Sequence, residues 1–208
     1  GDRRGKDGIG AFLVPTGAEG WRPAKKERKM GLRGSETVAV SVEGLRLEEE
    51  HLIGEPDRGF RYALEALEGG RLGVAAQAVG IAQASLDHAE RYAGEREQFG
   101  RPVGEFQGIQ FKLAEMLRRV ERSRALLHRA ARAYVHEDPR SLMLSSAAKL
   151  DASETAMDVS RDAVQIFGGY GYAREYPVER LFRDAKITEI YEGANEIHRI
   201  IIARELGR

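Results

Sequence analysis

Residues 106–134 read FQGIQFKLAEMLRRVERSRALLHRAARAY, and this stretch decides the fold of the chain. Along it, apolar side chains recur at alternating steps of three and four residues, interrupted by one serine: Phe106, Ile109, Leu113, Met116, Val120, Ser123, Leu127, Ala130 and Tyr134. Because an α-helix completes a turn in about 3.6 residues, this spacing puts these side chains on one face. The stretch is therefore predicted to form a long helix that buries that face.

A similar rhythm upstream predicts a second long helix over residues 72–89, opened by Glu68-Gly69-Gly70-Arg71. A stripe of small residues runs beside its apolar face and would let a neighbouring helix approach closely: Gly73, Ala76, Gly80 and Ala84. Two adjacent glycines cost a helix about 1 kcal/mol each relative to alanine. We therefore expect another group to lie against the backbone at Gly69 and Gly70.

Downstream of the central helix, the pattern predicts three more helices, over about 140–167, 178–185 and 195–206. Asp138-Pro139 separates the first of these from the central helix, because proline disfavours helical backbone before it and suits a first helical turn. Gly168-Gly169 is expected to end the same helix. Three long helices and two short ones predict a mainly α fold, an antiparallel helical bundle.

The first 55 residues predict β structure instead. Thr37-Val38-Ala39-Val40-Ser41-Val42 is rich in β-branched residues and alternates between two faces, and Ala11-Phe12-Leu13-Val14 is a short apolar run. Glycine and proline are expected to supply the turns: Gly17, Gly20, Pro23, Gly31, Gly34 and Gly44. We therefore divide the chain into a partial antiparallel β domain, residues 1–55, and a helical bundle domain, residues 56–208. A few strands rarely fold alone, so the first part is expected to be the edge of a larger β domain.

The composition argues against several classes of protein. Among the 208 residues, 33 are basic and 33 acidic, and a nucleic-acid binder would need a basic face. No apolar run approaches the length of a membrane span. The chain has no cysteine, and its five histidines are not in metal-ligand spacing, so we expect neither disulfides nor a metal site. The composition fits a reducing compartment, and we expect the protein in the cytoplasm, or in the mitochondrial matrix if its source is eukaryotic.

Four clusters have the residue types that chemistry needs, and each also has a purely structural interpretation. Tyr191-Glu192-Gly193-Ala194-Asn195-Glu196 is either a loop before the last helix, with Asn195 as N-cap, or a loop that presents Glu192 as a general base. Gln165-Ile166-Phe167-Gly168-Gly169-Tyr170-Gly171-Tyr172 is either a helix end with a turn, or a backbone that approaches a phosphate or a flat ring.

The other two clusters are equally ambiguous. Arg96-Glu97-Gln98-Phe99-Gly100 is either a solvated charged loop, or a loop in which Arg96 binds a pyrophosphate and Phe99 covers an aromatic ring. Glu68 and Arg71 are either a surface pair on a helix or part of a binding site. The residues alone leave both interpretations of each cluster open.

Taken in order, these clusters resemble the acyl-CoA dehydrogenase family, in particular its short-chain type. Further matching motifs lie at the expected spacings: Lys29-Met30-Gly31-Leu32-Arg33-Gly34-Ser35, Leu52-Ile53-Gly54-Glu55, Gly59-Phe60, Gln107-Gly108-Ile109-Gln110-Phe111-Lys112-Leu113-Ala114-Glu115-Met116, Arg183-Asp184-Ala185-Lys186-Ile187 and Ile190-Tyr191-Glu192-Gly193. Each motif is weak by itself, but the ordered set covers nearly the whole chain.

The resemblance implies that these residues correspond to the end of the middle β domain and the complete C-terminal helical domain of a three-domain enzyme. It implies a homotetramer or homodimer, an acyl-CoA substrate, FAD as cofactor and an electron-transferring flavoprotein as electron acceptor. Family domains that carry many of the flavin and acyl contacts have no counterpart in residues 1–208. We therefore expect these residues alone to be inactive.

By this resemblance, Glu192 removes the α-proton of the thioester, and the β-hydrogen leaves as hydride to N5 of FAD, giving the trans-2-enoyl-CoA. The N–H of Glu192 would stabilise charge on the thioester oxygen, and exclusion of water would make the carboxylate a stronger base. Gly193 leaves room for the substrate. Some family members carry the base on the first long helix, at the position of Gly70, where glycine cannot serve.

The resemblance also implies contacts to the cofactor and to CoA. Positions that match FAD-binding residues of the family are Arg96, Phe99, Gln107, Gln165, Ile166, Phe167, Gly168, Gly169, Ala194, Asn195 and Glu196. Within that set, residues 165–169 match the stretch that binds the cofactor of the neighbouring subunit. Ala194 replaces the usual threonine and so lacks a hydroxyl contact. Glu68 and Arg71 match a pair that meets the CoA moiety, with Glu68 in place of aspartate.

Two alternatives remain open beside the dehydrogenase. The chain could be a non-catalytic helical module that binds acyl-CoA or a partner protein. It could also be part of a flavin-dependent acyl-CoA oxidase of the same superfamily, because access of oxygen to a flavin depends on packing that the sequence does not reveal.

Overall fold

The computed structural model describes residues 5–207, in which helices predominate. The helices are α1 (Gly59–Glu95), α2 (Gln107–Val135), α3 (Ser141–Phe167), α4 (Pro177–Ile187) and α5 (Asn195–Leu206). The strands are β1 (Trp21–Lys26), β2 (Val38–Val42), β3 (Glu97–Gln98) and β4 (Arg101–Pro102). Short 3₁₀ helices lie at Gly5–Gly8, Glu49–His51, Val103–Glu105 and Gly168–Tyr172. The predicted mainly α fold with antiparallel strands is confirmed.

The described chain divides into two compact units, residues 5–29 with 33–67 and residues 30–32 with 68–207. The units separate within α1, whereas the predicted domain boundary at residue 55 falls before that helix. The division into domains at residue 55 stays a prediction.

The first unit contains the antiparallel pair of β1 and β2, in which Trp21 lies opposite Val42. The strand predicted over residues 37–42 is therefore confirmed in β2. The prediction of a turn at Pro23 was wrong, because Pro23 lies within β1, where the register shifts before Lys26. A two-stranded sheet has only edge strands, and a proline without an N–H is tolerated at an edge or an irregularity.

The second unit is the helical bundle, and its long helices agree with the apolar rhythm of the sequence. The helix predicted over residues 106–134 is α2, and the one predicted over about 140–167 is α3. The first long helix differs, because α1 begins at Gly59 rather than at Glu68. Gly69 and Gly70 therefore lie inside a continuous helix, with helical residues on both sides.

The core of this unit lies between α1, α2, α3 and α4. Most of its completely buried apolar side chains are alanines, beside the larger Met116, Val120, Val159 and Val178: Ala75, Ala78, Ala82, Ala89, Ala130, Ala148, Ala152, Ala156, Ala163 and Ala185. Alanines on facing helices let their axes approach closely. Within the described residues, the glycines of the small-residue stripe on α1 do not bring a neighbouring helix close. A Cβ added at Gly73 or Gly80 would meet no neighbouring element within 4 Å.

The connection between α1 and α2 contains a tight hairpin that the sequence analysis took for a loop. Strands β3 and β4 pair through a turn in which Phe99 and Gly100 have φ of 54° and 80°. Positive φ at both central residues is typical of a two-residue hairpin turn, but phenylalanine is uncommon there and gave no turn signal. Within residues 5–207, no helix combines the length and apolarity needed to cross a membrane.

Candidate active site

Glu192 lies in the short connection between α4 and α5, in a left-handed backbone conformation. Its φ is 54°, and that of Gly193 is 101°. A residue with a Cβ adopts a positive φ only at an energetic cost, usually because the surrounding structure imposes it. The loop thus has a specific shape, and this shape determines where the Glu192 side chain points.

The Glu192 carboxylate lies directly against Gly70 of α1. A Cβ added at Gly70 would come within 2.6 Å of Glu192 Oε2 and 2.9 Å of its Cδ. Any other residue at position 70 would therefore displace the carboxylate. The expectation that a group lies against the paired glycines holds at Gly70, and at Gly69 the nearest atom is the Tyr134 hydroxyl, 3.3 Å from a Cβ position.

Arg71 is buried beside this carboxylate. Its Nε and Nη1, and Oε2 of Glu192, are shielded from solvent without a hydrogen-bond partner among the described residues. Burial lowers the pKa of Arg71 from its ordinary value, whereas the carboxylates of Glu68 and Glu192 act to raise it. Buried polar atoms without partners are costly, so their convergence indicates a site that binds a polar ligand or water.

Lys149 of α3 lies under the loop that carries Glu192, and the sequence analysis missed it. The side chain is completely buried, and Nζ donates to the carbonyl of Gly193 at 2.7 Å and to Oδ1 of Asn195 at 3.1 Å. Ser153, one turn along α3, donates to the same Asn195 oxygen at 3.0 Å. Desolvation lowers the pKa of Lys149 to about 8. In the sequence, the sign that could have revealed this contact is a lysine and a serine four residues apart, on one face of an alanine-rich helix.

His198 of α5 is the second buried group that the sequence analysis missed. Its Nε2 would lie 3.2 Å from a Cβ at Gly193, and the ring faces the backbone of Glu192 and Gly193. Burial lowers its pKa to about 4, and the charges of Lys149 and Arg71 add to this effect. His198 is therefore a neutral imidazole at physiological pH. Scattered positions in the sequence gave no sign that it joins this cluster.

Asn195 does not cap α5, and the structural interpretation of its cluster was wrong on this point. The N-cap position is occupied by Ala194, which makes no side-chain hydrogen bond to the helix. Asn195 is the first helical residue, and its side chain turns inward because Lys149 and Ser153 donate to it. Glu68 is likewise engaged within the bundle, since it accepts a hydrogen bond of 2.6 Å from Ser141 Oγ.

Several of the predicted cofactor residues line one cleft of about 550 Å³. Its walls include Arg96 after α1 and the end of α3, and its lining residues are Tyr92, Arg96, Gln98, Val103, Ile166, Phe167, Gly168, Gly169 and Tyr170. The Arg96 guanidinium lies 5.3 Å from the centre of the Tyr170 ring. A Cβ at Gly168 or Gly169 would meet no atom within 4 Å, so the backbone there is open to a ligand.

The remaining predicted cofactor residues lie outside this cleft. Phe99, at the hairpin tip, is 94% exposed, and Gln107 and Gln165 are also exposed. A second cleft of about 280 Å³ is lined by Glu154, Lys186, Glu189, Ile190, Ala194, Asn195, Glu196 and Arg199. The structure therefore places some of the predicted cofactor residues in each of two clefts, whereas Phe99, Gln107 and Gln165 line neither. Within residues 5–207, no group of His, Cys, Asp or Glu side chains could hold a metal ion.

Comparison with known proteins gives one consistent family. The family model described as acyl-CoA dehydrogenase, C-terminal domain, matches residues 57–207. The chain is 48% identical over 203 residues to an acyl-CoA dehydrogenase of Bacillus subtilis, covering 98% of this chain and 53% of that protein. It is 49% identical over 205 residues to the mitochondrial short-chain specific acyl-CoA dehydrogenase of Rattus norvegicus, covering 99% of this chain and 50% of that protein.

Solved structures give the same result. The butyryl-CoA dehydrogenase of Megasphaera elsdenii superimposes with a TM-score of 0.96 at 45% identity, covering 99% of this chain and 53% of that one. The chain thus spans about half the length of the relatives it matches.

Proposed function

Because this chain belongs to the acyl-CoA dehydrogenase family, matching its C-terminal domain, we propose that the protein dehydrogenates acyl-CoA thioesters at the α,β bond, with Glu192 as the base. The observation that carries this proposal is the Glu192 carboxylate, held against Gly70 beside the buried Arg71 with Oε2 free of a partner. A base needs an oxygen that is available to accept a proton. Short-chain thioesters are the proposed substrates, since close relatives are named for short-chain and butyryl-CoA substrates.

The groups around Glu192 support a role in proton abstraction. Oε2 accepts the α-proton, and Gly70 and Gly193 carry no side chains that would occupy the space beside it. The backbone N–H of Glu192 stabilises the negative charge that develops on the thioester oxygen. The Arg71 guanidinium adds positive charge where the anionic intermediate forms and is available to a polar group of the substrate. The Glu68 carboxylate, which accepts a hydrogen bond from Ser141, lies near Arg71.

The residues of the larger cleft are compatible with FAD. Arg96 provides the cation that a pyrophosphate needs, and the open backbone at Gly168 and Gly169 allows close approach of phosphate or a ring. When bound, FAD supplies the acceptor for the β-hydrogen as hydride. The smaller cleft at Ala194, Asn195 and Glu196 adjoins the loop of Glu192. We propose that each chain contributes the two clefts to two different cofactors, in a homodimer or homotetramer.

A flavin-reduction experiment tests this function in the full-length protein. Butyryl-CoA is added anaerobically, and the loss of flavin absorbance near 450 nm, about the usual maximum of an oxidised flavin, is followed by stopped flow. Glu192→Gln is expected to slow reduction by about 10²–10⁴-fold while FAD stays bound. Glu90→Gln, on an exposed position of α1, is the matched control and is expected to react at the wild-type rate.

Turnover at the wild-type rate by Glu192→Gln would contradict the assignment of the base. An absence of flavin reduction in the wild type, with several acyl chain lengths, would contradict the proposed function itself. Electron-transferring flavoprotein is the proposed electron acceptor, and its reduction by the loaded enzyme tests that partner. Hydrogen peroxide formed in air at the rate of turnover would identify an oxidase instead.

A further inference from the structure

We propose that Lys149 is a positioning residue for Glu192, which fixes the loop between α4 and α5 by holding the Gly193 carbonyl and the Asn195 side chain. This inference rests on the proposed function, because it gives a role to a residue that acts through the base. Lys149 itself does not reach the reacting atoms. Its contribution is to keep the Glu192 carboxylate at Gly70.

The loop needs such a contact because its backbone is in an unfavourable conformation. Glu192 has a positive φ although it carries a Cβ, and a residue in this region relaxes to negative φ unless neighbours oppose it. Relaxation would turn the Glu192 side chain away from Gly70. Lys149 holds the carbonyl of Gly193, one peptide further along the chain, at 2.7 Å, so the backbone at Glu192 can relax only if this bond is displaced or broken.

The partners of Lys149 indicate that geometry, rather than charge neutralisation, accounts for its presence. Nζ donates to a backbone carbonyl and to an amide oxygen, not to a carboxylate. Complete burial of an ammonium is unfavourable, which agrees with the lowered pKa of Lys149. The carboxylates of Glu189, Glu196 and Glu192 partly offset this cost, and Arg71 adds to it. An apolar side chain of equal length would avoid the cost but leave the loop carbonyl without a donor.

A second contact fixes the loop between α4 and α5 at another point. The Asn195 oxygen accepts from both Lys149 and Ser153, so the first residue of α5 is fixed to two successive turns of α3. The loop is therefore held at Gly193 and again at Asn195, the first and third positions after the base. His198 packs beneath Gly193 and restricts movement of the loop towards α5.

The test compares Lys149→Met with Lys112→Met in the full-length, FAD-loaded enzyme. Lys112 is the matched control, because it is a partly buried lysine that bridges α2 and α3 through Asp162, at 2.8 Å, and has no contact with the loop. For Lys149→Met we expect kcat with butyryl-CoA to fall by about 10- to 100-fold, as small misplacement of a catalytic group does, with KM nearly unchanged. Lys112→Met is expected to keep the wild-type kcat.

Hydrogen exchange supplies a readout that does not depend on turnover. Amides of residues 190–195 in Lys149→Met are expected to exchange at least about tenfold faster than in the wild type, while amides in the middle of α2 are unchanged. Lys149→Arg, which keeps the donors, is expected to recover part of kcat. If Lys149→Met does not fold, Asn195→Ala removes one of the two acceptors and is expected to show the same changes at smaller size.

The outcomes separate this inference from the proposed function. Wild-type kcat or wild-type loop exchange in Lys149→Met would overturn the role of Lys149. A loss of thermal stability with unchanged kcat per bound FAD would also overturn it, because it would show a purely structural role. If the wild type does not reduce its flavin with any acyl-CoA, the proposed function fails, and faster loop exchange in Lys149→Met would still show that Lys149 holds the loop.

Discussion

Gly70 is the residue whose size determines where the Glu192 carboxylate can lie. We expect Gly70→Ala to lower kcat at least about tenfold, because the new Cβ would come within 2.6 Å of Oε2 and would displace the carboxylate. Stability should stay equal or rise by up to about 1 kcal/mol, since alanine is the better helix former. Steady-state kinetics and thermal unfolding of the same samples measure both effects.

Gly73→Ala is the matched control for this change. Gly73 lies three residues further along α1, and a Cβ there meets no neighbouring element within 4 Å. It should give the same gain in helix propensity without loss of kcat. Equal activity of the Gly70 and Gly73 variants would show that the carboxylate does not need the space at Gly70.

His198 is the residue that should link stability to acid pH. Its folded pKa is about 4, below the ordinary 6.5, so the unfolded chain binds the proton first as pH falls. The contribution of His198 to the free energy of unfolding should be fully present above pH 6.5. As pH falls from 6.5 through 4, this group alone should lower the free energy of unfolding by about 3 kcal/mol. Urea unfolding at several pH values between 7 and 4 measures the slope.

His198→Gln keeps polarity and removes this titration. Its unfolding free energy should therefore fall less between pH 6.5 and 4 than that of the wild type. The same slope in His198→Gln and in the wild type would show that His198 is not held neutral by its surroundings.

At the scale of the elements, α5 begins with a cap that could be improved. Ala194 has the extended backbone of an N-cap, with φ −61° and ψ 153°, but offers no oxygen to the first N–H groups of the helix. Ala194→Ser is expected to stabilise the protein by about 1 kcal/mol. Ala203→Ser, at an exposed position inside the same helix, should give no gain. Differential scanning calorimetry of both variants tests the difference, and equal melting temperatures would contradict it.

How much of these elements the sequence predicts depends on whether the signal is local. The apolar rhythm of residues 106–134 depends only on helix period, and α2 follows it closely. Pro23 in β1 and Phe99 in the hairpin turn were missed because a bulge and a positive φ are imposed by pairing with another strand. Glu192 could be found through the family motif, but not its backbone conformation. Lys149 and His198 become recognisable only when α3 and α5 pack together.

At the scale of the whole molecule, the two clefts raise the question of which chains form one active site. Arg96 lines the larger cleft and Asn195 the smaller one, which adjoins the loop of Glu192. If each cofactor lies between two subunits, the Glu192 of one chain works with the Arg96 of its partner. Arg96→Met should then lose FAD, because its cation binds the pyrophosphate. Measured flavin content tests this step, with Arg101→Met, on the hairpin that follows Arg96, as the control.

Mixing two inactive variants tests whether an active site is shared. We expect Arg96→Met and Glu192→Gln to be inactive separately but to regain activity when co-expressed. A mixed dimer then holds one site with an intact Arg96 from one chain and an intact Glu192 from the other. Random pairing makes half of the dimers mixed, with one of two sites intact, so about a quarter of wild-type activity should return. Co-expression of Glu192→Gln with Gly70→Leu should restore nothing, because Gly70 and Glu192 meet within one chain, so every site contains one of the two changes. If the first mixture also stays inactive, although mixed dimers are isolated with two different affinity tags, then each chain binds its cofactor alone and the proposed sharing is wrong.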